Sequence, residues 1–190
     1  MRNVFLISLL FVSFSLLASE GPEQVVGSIF TKARQKEVAT NLKLQESINE
    51  LIDFQGLCQK AYGFEFSKLP TEKQEWFIKT VTEIITKTVY PKAPSFLNQV
   101  KITYGKSSMS ADEATVKSKV KSKGESTSVD YKLRKVNGSW KVIDVIFDDE
   151  SWTEDIRDQV QETLKKEQWA GLEKRLGDRL ETIRKNGNTK

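Results

Sequence analysis

The sequence predicts an α+β fold in which a four-stranded antiparallel sheet stands between N-terminal and C-terminal helices. Three observations carry this reading. Apolar residues recur with a helical period across residues 21–90, they alternate with polar ones across residues 100–134, and the helical period returns after Ser151. Between the last two regions, Asn137-Gly138 is a hairpin signal, since both residues tolerate positive φ.

The elements follow in order. Met1-Arg2, an apolar run over residues 4–17 and Ala18-Ser19 read as a secretory signal peptide, residues 1–19, too short and wrongly flanked for a membrane span. An uncleaved anchor is the alternative. No Cys follows the run, so a bacterial lipoprotein anchor is excluded. A single domain is expected over residues 20–185, then a polar tail, 186–190. Pro22 opens the first helix, with Val25, Val26, Ile29, Phe30 and Ala33 as its apolar stripe. A second helix starts near Asn41 and carries Leu44, Ile48, Leu51 and Ile52 on one face. A short helix follows Asp53 and ends at Gly63, which reads as its C-cap. Thr71 and Gln74 read as a capping box for a helix with Phe77, Val81, Ile84 and Ile85 on one side. Pro91 and Pro94 stop it.

Strands are expected at Val100–Ile102–Tyr104, at Ala114–Val116–Val120, at Val129–Tyr131–Leu133 and over residues 140–147. In the last, Trp140 and Val142 should share one face, Ile143 and Val145 the other. Ser151 and Glu154 form a second capping box. The final helical stretch carries Ile156, Val160 and Leu164, then Trp169, Leu172, Leu176, Leu180 and Ile183, with a break expected at Gly171.

Composition restricts the chemistry. Apolar residues at 38% and charged residues at 29% are ordinary for a globular domain, and a net charge of +4 is only mildly basic. The chain has no His, so Ser-His-Asp and Cys-His catalysis are ruled out and zinc lacks its usual ligands. No Gly-rich phosphate loop is present. Cys58 has no intrachain partner and reads as a small core residue. No cofactor, metal or catalytic residue is expected. Asp148-Asp149-Glu150 fits solvated acids at a helix start, or a hard-cation site. Asp144, inside an apolar strand, must find partners. It is either satisfied by backbone, Arg or Tyr, or it orients a ligand headgroup or acts as a base. Lys117, Lys119, Lys121 and Lys123 project from one strand face, either as a solvated face that discourages strand pairing or as a dock for an acidic partner or anionic bilayer. No aromatics interleave with them, so nucleic acid is not expected.

Two stretches resemble a known family. Ile52-Asp53-Phe54, Tyr62-Gly63, the segment 71–77 and Tyr90 are similar in order and spacing to one part of its pattern, and Gly138-Ser139-Trp140-Lys141-Val142-Ile143-Asp144-Val145 to another, with Ser151 and Arg157 following. The family is the MlaC, or toluene-tolerance, family of periplasmic phospholipid-binding proteins. Asp149-Glu150, Glu75 and Phe66 depart from its usual Gly-Val, Arg and Trp. The resemblance implies helices and sheet packed around an apolar cavity that takes phospholipid tails. It also implies a soluble, non-enzymatic periplasmic carrier that maintains outer-membrane lipid asymmetry. Such a carrier shuttles between an inner-membrane ABC transporter complex with an MCE-domain subunit and an outer-membrane lipoprotein–porin complex. The lining is then expected from Phe54, Phe77, Val81, Ile84, Tyr104, Val129, Tyr131, Trp140, Val142 and Asp144. The competing reading is an NTF2-like domain that binds another small apolar ligand or uses Asp144 as a base.

Overall fold

The structure, a computed structural model, describes residues 20–187; the expected signal peptide and the end of the polar tail lie outside the described residues. Helix α1 (Pro22–Ala33) begins with Pro in its first turn, where the missing N–H is no loss, and buries Val25 and Val26. Helix α2 (Leu42–Asn49) is capped by the Asn41 side chain, which accepts from the Leu44 N–H. Helix α3 (Phe54–Tyr62) is capped by Asp53 and ends at Gly63, whose φ of 89° suits only glycine. Helix α4 (Thr71–Val89) follows. The expected Thr71–Gln74 box does not form: Pro70 takes the extended cap position, so Thr71 is already helical, and the Gln74 amide donates back to the Leu69 carbonyl at 2.8 Å. A further short helix, α5 (Ala93–Leu97), stands where the prolines promise only a stop. Pro94 lies in its first turn, a position that starts a helix as readily as its neighbour ends one.

The sheet holds six strands rather than the expected four: β1 (Lys101–Tyr104), β2 (Ser108–Met109), β3 (Glu113–Ser122), β4 (Glu125–Val136), β5 (Ser139–Phe147) and β6 (Glu150–Ser151). Their order is β1-β3-β4-β5-β6, with β2 also beside β3, and every pairing is antiparallel. β2 and β6 are two residues each, too short to leave an alternation in the sequence. The Asn137-Gly138 turn has φ of 52° and 80°, as its residues predict.

One irregularity reshapes the central strand. Lys132 pairs with Asp144 but Leu133 with Val142, so Ile143 is an extra residue on β5. The bulge overturns the simple alternation. Val145 stands opposite Tyr131 and Val142 opposite Leu133, so Val142 and Val145 share a face. At the same point the chain at residues 51–53 runs parallel to β5: the Val142 N–H donates to the Leu51 carbonyl at 2.9 Å and the Asp53 N–H to the Val142 carbonyl at 2.8 Å.

Helix α6 (Trp152–Gly187) starts as its cap predicts, with the Glu154 N–H donating to Ser151 Oγ at 3.1 Å. Its break falls at Gln168 (φ 57°, ψ −165°), not at Gly171. Gly171 instead makes room for the Glu167 side chain, which pairs with Arg175 across the kink.

Three apolar clusters form the interior. The first joins α1 to the inner sheet face. The second packs α3, α4 and α6 around Tyr62, Phe66 and Phe77, with Trp76 and Trp169 at its margin. Cys58 belongs to it, and burial, with the nearby Asp53 carboxylate, pushes its thiol up to about 12. The third joins Ala33, Val38, Ile48, Tyr90 and Leu97, with Ile102 and Val120 of the sheet packed against it. Among the described residues no helix is long and apolar enough to cross a membrane.

Candidate functional site

The inner face of the sheet is a set of cross-strand rows. Ala114, Leu133 and Val142 make the first, and Val116, Tyr131 and Val145 the second. Helix α1 seals both, with Val25 and Val26 in the same cluster and the Phe30 ring edge-on to Tyr131 at 5.6 Å. The third row is Tyr104, Ser118, Val129 and Phe147. Its centre is closed and its ends are open: Tyr104 is 42% exposed and Phe147 47%. The fourth row, Ile102, Val120 and Thr127, is half-buried throughout. Cover is therefore complete at one end of the face and partial at the other.

Helix α4 shows the same gradation. Phe77 is fully buried and Val81 nearly so, both in the helical cluster. Ile84 and Thr88 continue that helix face at i+7 and i+11 and are only half-buried. Ile84 joins none of the three clusters. The Thr88 hydroxyl is hidden without a hydrogen-bond partner.

The expected lining residues thus separate. Val129, Tyr131, Trp140, Val142 and Tyr104 lie together on the inner face. Phe77 and Val81 lie in the helical cluster, and Ile84 lies at its open end. Phe54 is buried at the start of α3. Asp144 points to the other face of the sheet. Its carboxylate is 5% exposed and is taken up by its own chain: Oδ1 accepts from the Val145 N–H at 2.9 Å and the Thr153 N–H at 3.0 Å, and Oδ2 from Ser151 Oγ at 2.6 Å. It locks the β5–α6 junction and has little capacity left for a ligand.

Ser118, Val145 and Arg34 were not expected at the inner face. Ser118 was detectable, since it occupies the inward place between Val116 and Val120 in the alternation of β3. Its hydroxyl donates to the Val129 carbonyl at 3.0 Å and reaches the Tyr131 hydroxyl at 3.5 Å. Burial pushes the Tyr131 phenol up to about 12, with the Ser118 hydrogen bond opposing. Val145 was hidden by the bulge. Arg34 carries no pattern at all and acquires a neighbour only in the fold.

Other surfaces fit apolar ligands less well. A cleft of about 380 Å³ on the outer sheet face is lined by Lys106, Lys117, Lys119, Asp130 and Asp149 among others. A groove of about 910 Å³ between the turn after α3 and α6 is rimmed by Glu65, Lys68, Glu162 and Lys165. Two acyl chains need about 1,000 Å³; the first falls well short of that volume, and the second is rimmed by charged side chains. Lys117, Lys119 and Lys121 are exposed on the outer face, whereas Lys123, expected in the same row, lies in the turn after β3 with φ of 48°. Lys117 approaches Asp130 at 3.9 Å, while Lys121 stands directly opposite Lys101. Among the described residues no group of three or more His, Cys, Asp or Glu is arranged to hold a metal ion.

Comparison with known proteins adds the following. The sequence matches the family described as MlaC protein over residues 23–178, from α1 to most of α6. No curated protein matches it. A phospholipid-binding protein from Ralstonia solanacearum, solved in complex with a phospholipid, has a similar structure, with a TM-score of 0.69 and 20% sequence identity. The match covers 85% of this chain and 95% of that one. At that identity the likeness speaks for the fold.

Proposed function

The chain belongs to the MlaC family, and from that premise we propose that it binds phospholipid and carries it through the periplasm. The observation that carries the reading is the inner sheet face, sealed at its first two rows and half-open at the third and fourth. The acyl chains lie against Val129, Val120 and Ile102 and under Ile84, and Tyr104 and Phe147 flank the entrance. A lipid chain gains about 0.8 kcal/mol per buried methylene, so an aqueous carrier needs only to hide it. Binding without chemistry is consistent with a sequence that contains no His. Asp144 is a poor general base here, because Thr153, Ser151 and Val145 already occupy its carboxylate.

The wider role follows the family. Residues 1–19 direct export and residues 20–185 form the carrier domain. It exchanges lipid between an inner-membrane ABC transporter complex with an MCE-domain subunit and an outer-membrane lipoprotein–porin complex, and so maintains lipid asymmetry. The structural likeness to a protein solved with a phospholipid supports the cargo. The test is native mass spectrometry of protein purified from a bacterial periplasm, with uptake by delipidated protein from phospholipid vesicles. Bound phospholipid and saturable uptake are expected. Lipid-free protein that takes up nothing overturns the reading.

A further inference from the structure

Arg34 follows α1 and lies one turn beyond Phe30, on the same side of the helix. Phe30 packs against Tyr131 and borders the third cluster, so Arg34 is carried to the open end of the inner face. Its backbone is pinned on both sides: the N–H donates to the Phe30 carbonyl at 3.1 Å, and the carbonyl accepts from Asn98 Nδ2 at 3.3 Å. Its side chain is always charged, yet among the described residues it forms no ion pair. The Nε–H is hidden from solvent without an acceptor.

Its charge is felt at Tyr104. Burial pushes that phenol up, and the Arg34 guanidinium draws it down. Tyr104 stands across from Ser118 in the sheet, and Ser118 reaches the Tyr131 hydroxyl. A cation and three hydroxyls therefore gather where the apolar face opens. The helix dipole favours a cation at the end of α1, but it supplies no acceptor for a hidden Nε–H, and such donors are normally paired. An anion with several oxygens does supply one, and a guanidinium binds it through two parallel hydrogen bonds.

We propose that Arg34, with the hydroxyls of Tyr104 and Tyr131, holds the phosphate of a bound phospholipid at the open end of the inner sheet face. The inference rests on the lipid-binding reading above and adds to it the group that recognises the head. The chains then run from the phosphate onto the third and fourth rows, so one contact fixes which end of the lipid enters first.

The test titrates delipidated full-length mature protein with dioctanoylphosphatidylglycerol, with dioctanoylglycerol of the same chains, and with inorganic phosphate. Wild type should bind the phospholipid at least tenfold more tightly than the diacylglycerol. Arg34→Gln should abolish that preference by weakening the phospholipid alone, and Arg34→Lys should keep part of it. If Arg34→Gln melts early when lipid-free, Tyr104→Phe carries the test, with a several-fold loss confined to the phospholipid. Equal affinity of wild type for the two lipids, or equal loss of both in Arg34→Gln, overturns the headgroup contact while lipid carriage stands. Inorganic phosphate bound as tightly as the phospholipid, with no binding of diacylglycerol, makes the site one for a free anion and overturns the inference. Failure of wild type to bind either lipid overturns carriage itself and the inference with it.

Discussion

Asp144 shows how much a single carboxylate holds. It sits at the second residue of a bulge, where the ladder to β4 is out of step, and it ties β5 to the start of α6 through the Thr153 N–H and the Ser151 hydroxyl. Asp144→Ala strands these donors in a buried place. Hydrogen bonds to a charged group contribute about 1.5–3 kcal/mol each, so stability should fall by an amount of that order, seen as a lower urea midpoint with the slope unchanged. Lipid carriage by the molecules that remain folded should persist. Carriage lost at full stability returns Asp144 to the ligand. Asp53 plays a parallel part on the same side of the sheet: it accepts from the Gly56 N–H and pairs with Arg134 of β4. Gly56 has no room for a side chain because that guanidinium and carboxylate already fill the space. Asp144 was visible in the sequence as a carboxylate inside an apolar strand, whereas Asp53 was not marked out in this way. The partners of neither were visible, since Arg134 and Thr153 lie on separate elements.

At the scale of the element, α4 divides into a sealed half and an open half. Val81 is packed among Phe77, Leu172 and Val160, so Val81→Trp overpacks a filled space and should cost about 1–3 kcal/mol. Ile84, one turn further on and in no cluster, should accept Trp with little change in the melting of lipid-free protein while lipid uptake falls sharply. Equal melting losses in the two variants, with uptake lost only through unfolding, mean that no acyl space adjoins α4. The same helix is fastened to the end of α6 by Arg184, which donates to both carboxylate oxygens of Glu83 at 2.8 and 2.6 Å. The hydrogen bond from Arg184 leads in holding the Glu83 carboxyl below its usual 4.5, against partial burial. A lowered folded-state pKa stabilises above the unfolded value and is lost as pH falls through the folded one. Arg184→Gln should therefore lower stability slightly at pH 7, as expected for a solvent-screened pair. The gap between variant and wild type should close in acid, below the Glu83 pKa. A gap that persists there assigns the effect to packing of the Arg184 stem.

The whole molecule is organised by its sheet. One face meets α1 and the third cluster; the other meets the start of α3 and α6 along β4 and β5 and leaves the lysines of β3 in water. The two faces thus separate by character, an apolar one toward the helices and a basic one toward solvent. The candidate opening lies at the boundary, since Tyr104 ends the strand whose outer face carries Lys101 and Thr103. The third and fourth rows draw their residues from β1, β3, β4 and β5.

The residues alone determined the type and order of the long elements, the hairpin at Asn137-Gly138, the cap at Ser151, the outward lysines and the absence of His chemistry. Each of these is a local matter: period, turn geometry and side-chain inventory act within a few residues. Only the tertiary structure decided the rest. The bulge at Ile143 moved Val145 to the inner face, because register is a property of two strands and not of one. Phe77 and Ile84 share a helix face but not a fate, because periodicity reports which way a side chain points and not what covers it. The Arg34 charge reaches Tyr104 because the fold brings the end of α1 toward the sheet, a relation between residues far apart in the chain that no spacing within either segment encodes.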